Sequence, residues 1–551
     1  MAIKMFTQKK ILVLRNFTVE PTLNELEDKL LKKNIKCKFD ISTYDSSINE
    51  VLKFKKKKID EYNAVLVLFS LELFIQKQKN LDIALKNFKK SIFDLSHILT
   101  QKKFKNINLF YLFSNELMKI NLKKYNLINN SLKEIHRINK DISVFNLAEE
   151  INLFDNKNKF FDNNYFKNTL FPFNGEGQNL SSLILYIKLR NIFNLDFKLI
   201  ILDADNTLWN GIIDERGFKN IKFLDKIKKI NYLTFHSKLK KLISQGFILA
   251  LSTKNDLSLI KKTFSFHSRK KILKLKDFAC IKANWEPKYL NINAILSNLK
   301  LSIDNAIFID DSDFEINSVN KLLPRLECFN FYKYKNLHIN LDKIIANKNK
   351  NITKEDKKRA KLYLQENKRI KEQTKFINYQ EYLKSLKIKL RVKKNSKKNI
   401  ERLSQLTLRT NQFNSTTLRF GEKDIRSILN DKKKIIYECS AEDRLGDYGI
   451  IAVAIINLKK EIAIITNILM SCRALGREIE NYFLNFIVID LKKNHKIKKI
   501  KALYKKSEKN NLIKKFFNKN FSKEIKTSNY YCNTNKKFKS VEYKLMSVNE
   551  K

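Results

Sequence analysis

The chain has 551 residues, too many for one hydrophobic core, so three or four domains are expected. Its formal charge of +53 would suit a nucleic-acid or anionic-membrane partner, yet the lysines are spread over every segment and no groove-reading motif accompanies them. That pattern argues against a nucleic-acid binder, and no stretch is long and apolar enough to span a bilayer.

Six cysteines, Cys37, Cys280, Cys328, Cys439, Cys472 and Cys532, lie far apart without metal-ligand spacing and read as free thiols of a reducing compartment. The opening MAIKMFTQKKILVLRNF carries positive charge but only a brief apolar run, unlike a signal peptide, so a cytoplasmic location is expected.

The first strand is KILVLR, Lys10 to Arg15, followed by a helix from Leu23 to Lys33, a strand from Lys36 to Ile41 and a third strand, AVLVLF, from Ala64 to Phe69. This alternation predicts a parallel sheet flanked by helices, continued by 106–113 and by a helix before Asn174, which carry the domain to about Leu185. After the first strand the chain reads Asn16-Phe17-Thr18, not the Gly-Asp-Ser start of an esterase-type sheet, so a binding or scaffold role is expected here.

The next unit opens on KLIILDADNTLWN. Leu199 to Leu202 is too short and apolar for anything but a buried parallel strand, and it ends in Asp203 and Asp205, two carboxylates that repel unless a cation or shared proton compensates. A second buried strand, QGFILAL, ends in Ser252-Thr253-Lys254-Asn255, placing hydroxyls and an amide where a phosphoryl oxygen binds. ANWEPK then delivers Lys288 as a helix begins, and the strand NAIFI ends in Asp310-Asp311.

Four polar strand or helix ends in this order resemble the haloacid dehalogenase (HAD) superfamily of phosphotransferases. The resemblance implies Asp203 as nucleophile, Asp205 as general acid and then base, and Thr253, or else Ser252, as the phosphoryl-holding hydroxyl. Asn255 belongs to the same substrate-binding end. Lys288 would neutralise charge, and Mg2+ would be held by Asp203, the Asp205 carbonyl and Asp310, with Asp311 in support. Between Leu208 and Leu251 there is room for a flap and one helix but no lid domain, which suits a bulky substrate.

Ile352 to Gln373 reads as a charged connecting helix with Thr353 as cap. A further α/β unit begins at the strand Leu386 to Val392, with a helix from Asn399 to Arg409 and extended segments around 434–439 and 450–457. A strand from Glu461 to Met470 then runs into Arg473-Ala474-Leu475-Gly476-Arg477 at a helix start. This resembles the pyrophosphate loop of the GNAT acyltransferase fold, implying that Arg473 and Gly476 meet coenzyme A or a phosphopantetheine arm. Glu478 stands where that family has a small residue, and Tyr504 falls where many members keep a general acid.

The phrases LDADNTLWNG, KANWEPK, FIDDS, RTNQFNSTT, DRLGDYGIIAVAI and MSCRALGRE are together similar to the FkbH-like proteins, the HAD-IIIC class. The implied architecture is multidomain α/β. A HAD-like Rossmannoid core over 186–345 is flanked by an SGNH-like α/β domain over 1–185 and, after a helical connector over 346–384, by a GNAT-like α/β domain over 385–551. The implied activity is glyceryl loading from 1,3-bisphosphoglycerate onto an acyl carrier protein, with a plain phosphatase or a non-catalytic carrier-binding scaffold as alternatives. No nucleic-acid or membrane partner is expected. Where glyceryl-loading members place a cysteine before the second-motif hydroxyl, this chain has Ser252, so a thioester on the enzyme is not implied.

Overall fold

The structure is a computed structural model. It describes residues 6–44, 47–78, 80–112, 122–155, 159–193, 195–345, 362–363, 365–366, 368–370, 372–410, 412–471, 474–507, 510–524, 529–536 and 544–545.

The first unit is a parallel sheet of β1 (Thr7–Arg15), β2 (Ile35–Ile41), β3 (Ala64–Ser70), β4 (Ile107–Leu112) and β5 (Ile142–Asn146), in the order β2-β1-β3-β4-β5. Helix α1 (Glu20–Lys32) covers one face, and α2 (Leu81–Gln101) and α3 (Leu122–Ile138) cover the other. Strand β3 is buried at every position, which is why its sequence is continuously apolar and does not alternate.

Helix α4 (Gly175–Leu189) runs through the boundary expected at residue 185. It is buried nearly all round over Leu180–Ile187 and packs on α1, and one unbroken apolar cluster extends from Ile11 through α4 to Ile345. The first two units therefore share a core. Polar ties reinforce it: Asn336 Nδ2 donates to the Asn152 carbonyl at 2.9 Å, and Lys33 donates to the Arg325 carbonyl.

The second unit is a parallel sheet of β6 (Leu199–Leu202), β7 (Ile248–Thr253), β8 (Phe278–Ala283), β9 (Ala306–Asp310) and β10 (Glu327–Asn330), in the order β8-β7-β6-β9-β10. Helices α5 (Tyr232–Ser244), α6 (Leu257–Phe266), α7 (Lys288–Asn298), α8 (Asp313–Leu322) and α9 (Leu337–Ile345) flank it. The expected acid strand has the bounds read from sequence. Between β6 and β7 lie a one-turn helix, Ile213–Arg216, a short hairpin, Leu224–Asp225 with Ile230–Asn231, and α5, so the room anticipated for a flap and one helix also holds a short second helix.

The connecting helix expected over 352–373 falls largely outside the described residues; those of it that are described, from Leu362 onward, are helical. Helix α10 (Tyr379–Ser385) leads into an eight-stranded mixed sheet. Its strands are β11 (Lys389–Lys394), β12 (Lys434–Asp443), β13 (Gly446–Lys459), β14 (Ile462–Met470), β15 (Lys499–Ala502), β16 (Ser522–Lys523), β17 (Tyr530–Asn533) and β18 (Lys544–Leu545). Strands β11 to β14 are antiparallel neighbours, whereas β14 and β15 pair in parallel across α11 (Ile479–His495). The chain is thus multidomain α/β, with a Rossmann-like acid-bearing sheet between two other α/β units.

His236, on α5, ties the segment after β6 to the segment before β8. It is fully buried, accepts from Leu273 N–H at Nδ1, 3.1 Å, and therefore carries its proton on Nε2, which donates to the Leu208 carbonyl at 2.9 Å. Burial pushes its pKa down from 6.5 to about 4. Its contribution to stability is complete above about pH 6.5 and is lost as pH falls towards 4, roughly 3 kcal/mol in all. In urea unfolding, the stability of the wild type relative to His236→Gln should fall as pH goes from 7 to 4, other titrating groups cancelling in the difference; a difference that does not change with pH would refute the assignment.

Candidate active site

Parallel strands deliver all their C-terminal ends to one edge, and the site is built there. Asp203 follows β6, Ser252 and Thr253 end β7, Asp310 ends β9 with Asp311 just beyond, and Lys288 opens α7 after the β8 loop. Strands β6 and β9 are direct neighbours, and Asp203 N–H donates to the Ile309 carbonyl at 3.0 Å, which fixes the two acid-bearing ends side by side.

Carboxylate oxygens of Asp203, Asp310 and Asp311 lie within 4.8 Å of one another. Lys288 Nζ reaches between them, donating to Asp203 Oδ1 and, at 2.6 Å, to Asp310 Oδ2. Asp310 Oδ1 accepts the Ser312 N–H at 2.9 Å. Asp203, Lys288 and Asp310 are buried. Burial pushes Asp203 up to about 6 against the pull of Lys288, and pushes Asp310 to about 6 with the neighbouring Asp203 adding to it; burial and Asp310 do the same for Asp311. Burial also works against the Lys288 charge, but the two carboxylates hold it protonated, above its ordinary range. One ammonium against three carboxylates leaves two negative charges uncompensated when all are ionised.

That donor set fits a hard divalent cation. The three oxygens come from rigid strand ends, all are carboxylate oxygens, and protonation is the costly alternative way to relieve their repulsion. Mg2+ meets these requirements, and Asp203, Asp310 and Asp311 would hold it.

Asp205 points elsewhere. Trp209 Nε1–H donates to its Oδ1 at 2.8 Å and Asn255 Nδ2 to its Oδ2 at 3.0 Å, so its carboxylate is fixed beside the metal cluster and not within it. Burial raises its pKa, as a general acid requires. Asn255 also donates to Thr253 Oγ1 at 2.9 Å, leaving the threonine hydroxyl proton to donate outward. Ser252 is fully buried on the strand face of Ile248 and Ala250, and its Oγ has no hydrogen-bond partner among the described residues. Of the two hydroxyls, Thr253 is the one wired to Asp205.

Sequence reasoning missed the role of Trp209. The signal was present: one of two tryptophans in the chain stands four residues after Asp205, one turn of chain away. The bend between them is made by Asn206 in the left-handed region (φ 54), whose side chain accepts the Gly211 N–H at 3.0 Å.

Among the described residues, no contact joins the second set of expected site residues, at the start of α11, to the acids. Arg473 lies outside the described residues. Gly476 adopts φ +84, as a close turn requires, but its carbonyl accepts the Tyr379 hydroxyl. Arg477 is buried against Glu366. Tyr504 follows β15, and its hydroxyl donates to Asn510 Oδ1 at 3.2 Å. Gly476, Arg477 and Tyr504 thus each have a partner within the chain.

No family model matches this sequence, and no curated protein does. Among solved structures, the chain is similar to the N-terminal part of BF1531 from Bacteroides fragilis, which contains a phosphatase domain and was crystallised with Mg. The identity is 21%, over 61% of this chain and 94% of that one, with a TM-score of 0.49. It is also similar to a spermidine N-acetyltransferase SpeG mutant from Vibrio cholerae, 11% identical over 27% of this chain and 94% of that one, with a TM-score of 0.21. The ribosomal-protein-S18-alanine N-acetyltransferase from Escherichia coli is 9% identical over 28% of this chain and 99% of that one, with a TM-score of 0.21. The activities in those names belong to those proteins.

Calorimetric titration with MgCl2 should show binding that Asp310→Ala weakens at least about tenfold, since a ligand and the anchor of Lys288 are both lost. Ser252→Ala, which removes a buried hydroxyl lacking a partner, should leave Mg2+ binding unchanged and keep or raise the melting temperature. A weaker metal site in Ser252→Ala would place that hydroxyl in the coordination sphere after all.

Proposed function

We propose that this chain is an FkbH-like (HAD-IIIC) enzyme, magnesium-dependent, acting on a phosphorylated or acyl-phosphate metabolite. Its proposed reaction is glyceryl transfer from 1,3-bisphosphoglycerate to an acyl carrier protein, in polyketide or surface-polysaccharide biosynthesis in the cytoplasm. The observation that supports it is the juxtaposition of Asp203, Asp310 and Asp311 around Lys288, with Asp205 held separately by Trp209 and Asn255. In this reading the first unit is an SGNH-like scaffold.

When bound, Mg2+ supplies positive charge to the phosphoryl oxygens. Lys288 neutralises the same group from the α7 side, and the free donor of Thr253 orients it. The carrier's pantetheine thiol attacks the acyl carbon; a C–S bond forms and the C–O bond to phosphate breaks, its electron pair leaving on the phosphate oxygen. Asp205 takes the thiol proton and returns it to the departing phosphate. No enzyme thiol takes part, in keeping with Ser252. Trp285 and Phe314, both strongly exposed, stand on the loop after β8 and at the start of α8, at the edge where the acids lie, and leave room for a bulky partner. The carrier brings its own phosphopantetheine arm, so no coenzyme A is needed from the C-terminal unit.

A plain phosphatase is the second reading, favoured by the raised pKa of Asp205 beside a carboxylate able to attack phosphorus. Asp203 then forms an aspartyl phosphate, Asp205 protonates the leaving oxygen, and the same carboxylate activates water for hydrolysis.

Incubation with the acyl phosphate, MgCl2 and candidate carriers in 18O-water separates the two. Transfer adds a glyceryl mass to the carrier and releases unlabelled phosphate, whereas hydrolysis through Asp203 puts 18O into phosphate and leaves the carrier unchanged. Asp205→Asn should slow either reaction about 10²- to 10⁴-fold. Turnover that persists in Asp203→Asn or in excess chelator would end both readings.

A further inference from the structure

The start of α11 is the one place where the sequence offered a second ligand site, and the surrounding contacts point to a different occupant. Arg477 is buried and donates to Glu366 Oε1 at 2.6 Å. Glu366 is buried as well, and Arg369 NH1 lies 3.6 Å from its second oxygen. Arg369, also buried, forks onto Asp443 through Nε and NH2 at 2.8 and 2.9 Å and donates to the Gly446 carbonyl. Tyr448 lies under that guanidinium, 3.7 Å from ring centre to Cζ, and its hydroxyl donates to Asp443. Two arginines and two carboxylates balance in charge, and both guanidiniums face the same ring.

The loop and the strand before it are closed by further segments of the chain. Tyr379 donates to the Gly476 carbonyl, and Gln380 Nε2 reaches Glu478 at 3.3 Å. Strand β14 pairs with β15 only as far as Ile465 with Ala502. Beyond that point Ser415 N–H donates to the Ile468 carbonyl and Met470 N–H to the Phe413 carbonyl, each at 3.0 Å, so residues 413–415 cover the edge that the parting strands leave. A strand edge with its groups already paired offers no backbone partners to an extended pantetheine arm.

We propose that Arg477, where α11 begins, is an internal carboxylate-binding site whose ligand is Glu366, and that this guanidinium serves the joint between units and not coenzyme A. Glu366 already pairs with Arg477, and an anion arriving at that guanidinium would have to displace a buried partner. The segment so held is the one that joins the units. Tyr363, three residues before Glu366, packs in the apolar cluster between the β6–β9 sheet and α7, and Lys300 at the end of α7 lies 3.9 Å from Glu366. The arginine thus fixes the C-terminal unit to the acid-bearing unit through the connector.

The test uses the full chain. Calorimetry of the wild type with coenzyme A and with acetyl-coenzyme A should show no binding tighter than about 1 mM. Glu366→Gln and Arg477→Gln should each lower the melting temperature by about 5 °C or more, and the double variant should fall no further than the worse single one. The reversed pair, Glu366→Arg with Arg477→Glu, should regain part of the loss. Micromolar binding of either coenzyme that Arg477→Gln abolishes would overturn the proposal, as would single variants that melt with the wild type or lose stability additively. Should a single variant not fold, the wild-type titration alone decides.

Discussion

The acid-bearing unit depends on one buried ammonium. Lys288 spans the gap between β6 and β9, and without it three carboxylates would face one another at the rim of a low-dielectric sheet. The lysine makes that cluster compatible with folding, but it does not neutralise it. The remaining negative charge is what a divalent cation answers, so one balance of charge serves both the stability of the strand ends and their chemistry. The elements around it are arranged to hold that balance: β6 and β9 fix the acids, the loop after β8 turns Lys288 inward, and Ser312 N–H pins the second oxygen of Asp310.

Much of this was legible in the sequence for a physical reason. Buried parallel strands are short, continuously apolar and end abruptly where polar groups begin, so Leu199–Leu202 and the acid after it could be read directly. The residues Asp203, Thr253, Lys288 and Asp310 are separated widely in the chain and meet because parallel strands share an edge. What the sequence did not reveal is hydrogen-bond wiring. That Trp209 and Asn255 hold Asp205 apart from the metal cluster depends on the left-handed turn at Asn206, which asparagine adopts readily but does not announce. Likewise, which of two adjacent hydroxyls is wired to Asp205 follows from strand facing at the last residue of β7.

The C-terminal unit shows the converse. Arg-x-x-Gly at a helix start is a local pattern, and its described end, Ala474 to Gly476, lies between β14 and α11. Its meaning was decided by residues more than ninety positions away, Glu366 and Tyr379, which no local pattern connects to it. Glu478 in the left-handed region, where a small residue was expected, already hinted that the loop serves a different geometry. A buried ion pair is a poor predictor of net stability but a strong constraint on what else can enter, and here it turns a ligand-binding pattern into a joint.

Helix α4 has a consequence for how the chain is made. It packs on α1 of the first sheet and belongs to the same apolar cluster as α9, the last helix of the second unit, whose start is tied by Asn336 to the carbonyls of residues 152 and 154. During synthesis the first sheet emerges early, yet the apolar cluster that α4 shares with the second unit is not complete until residue 345 has left the ribosome. The nascent first unit therefore waits with apolar surface showing, a period in which chaperone protection would matter most, and the two units become native together.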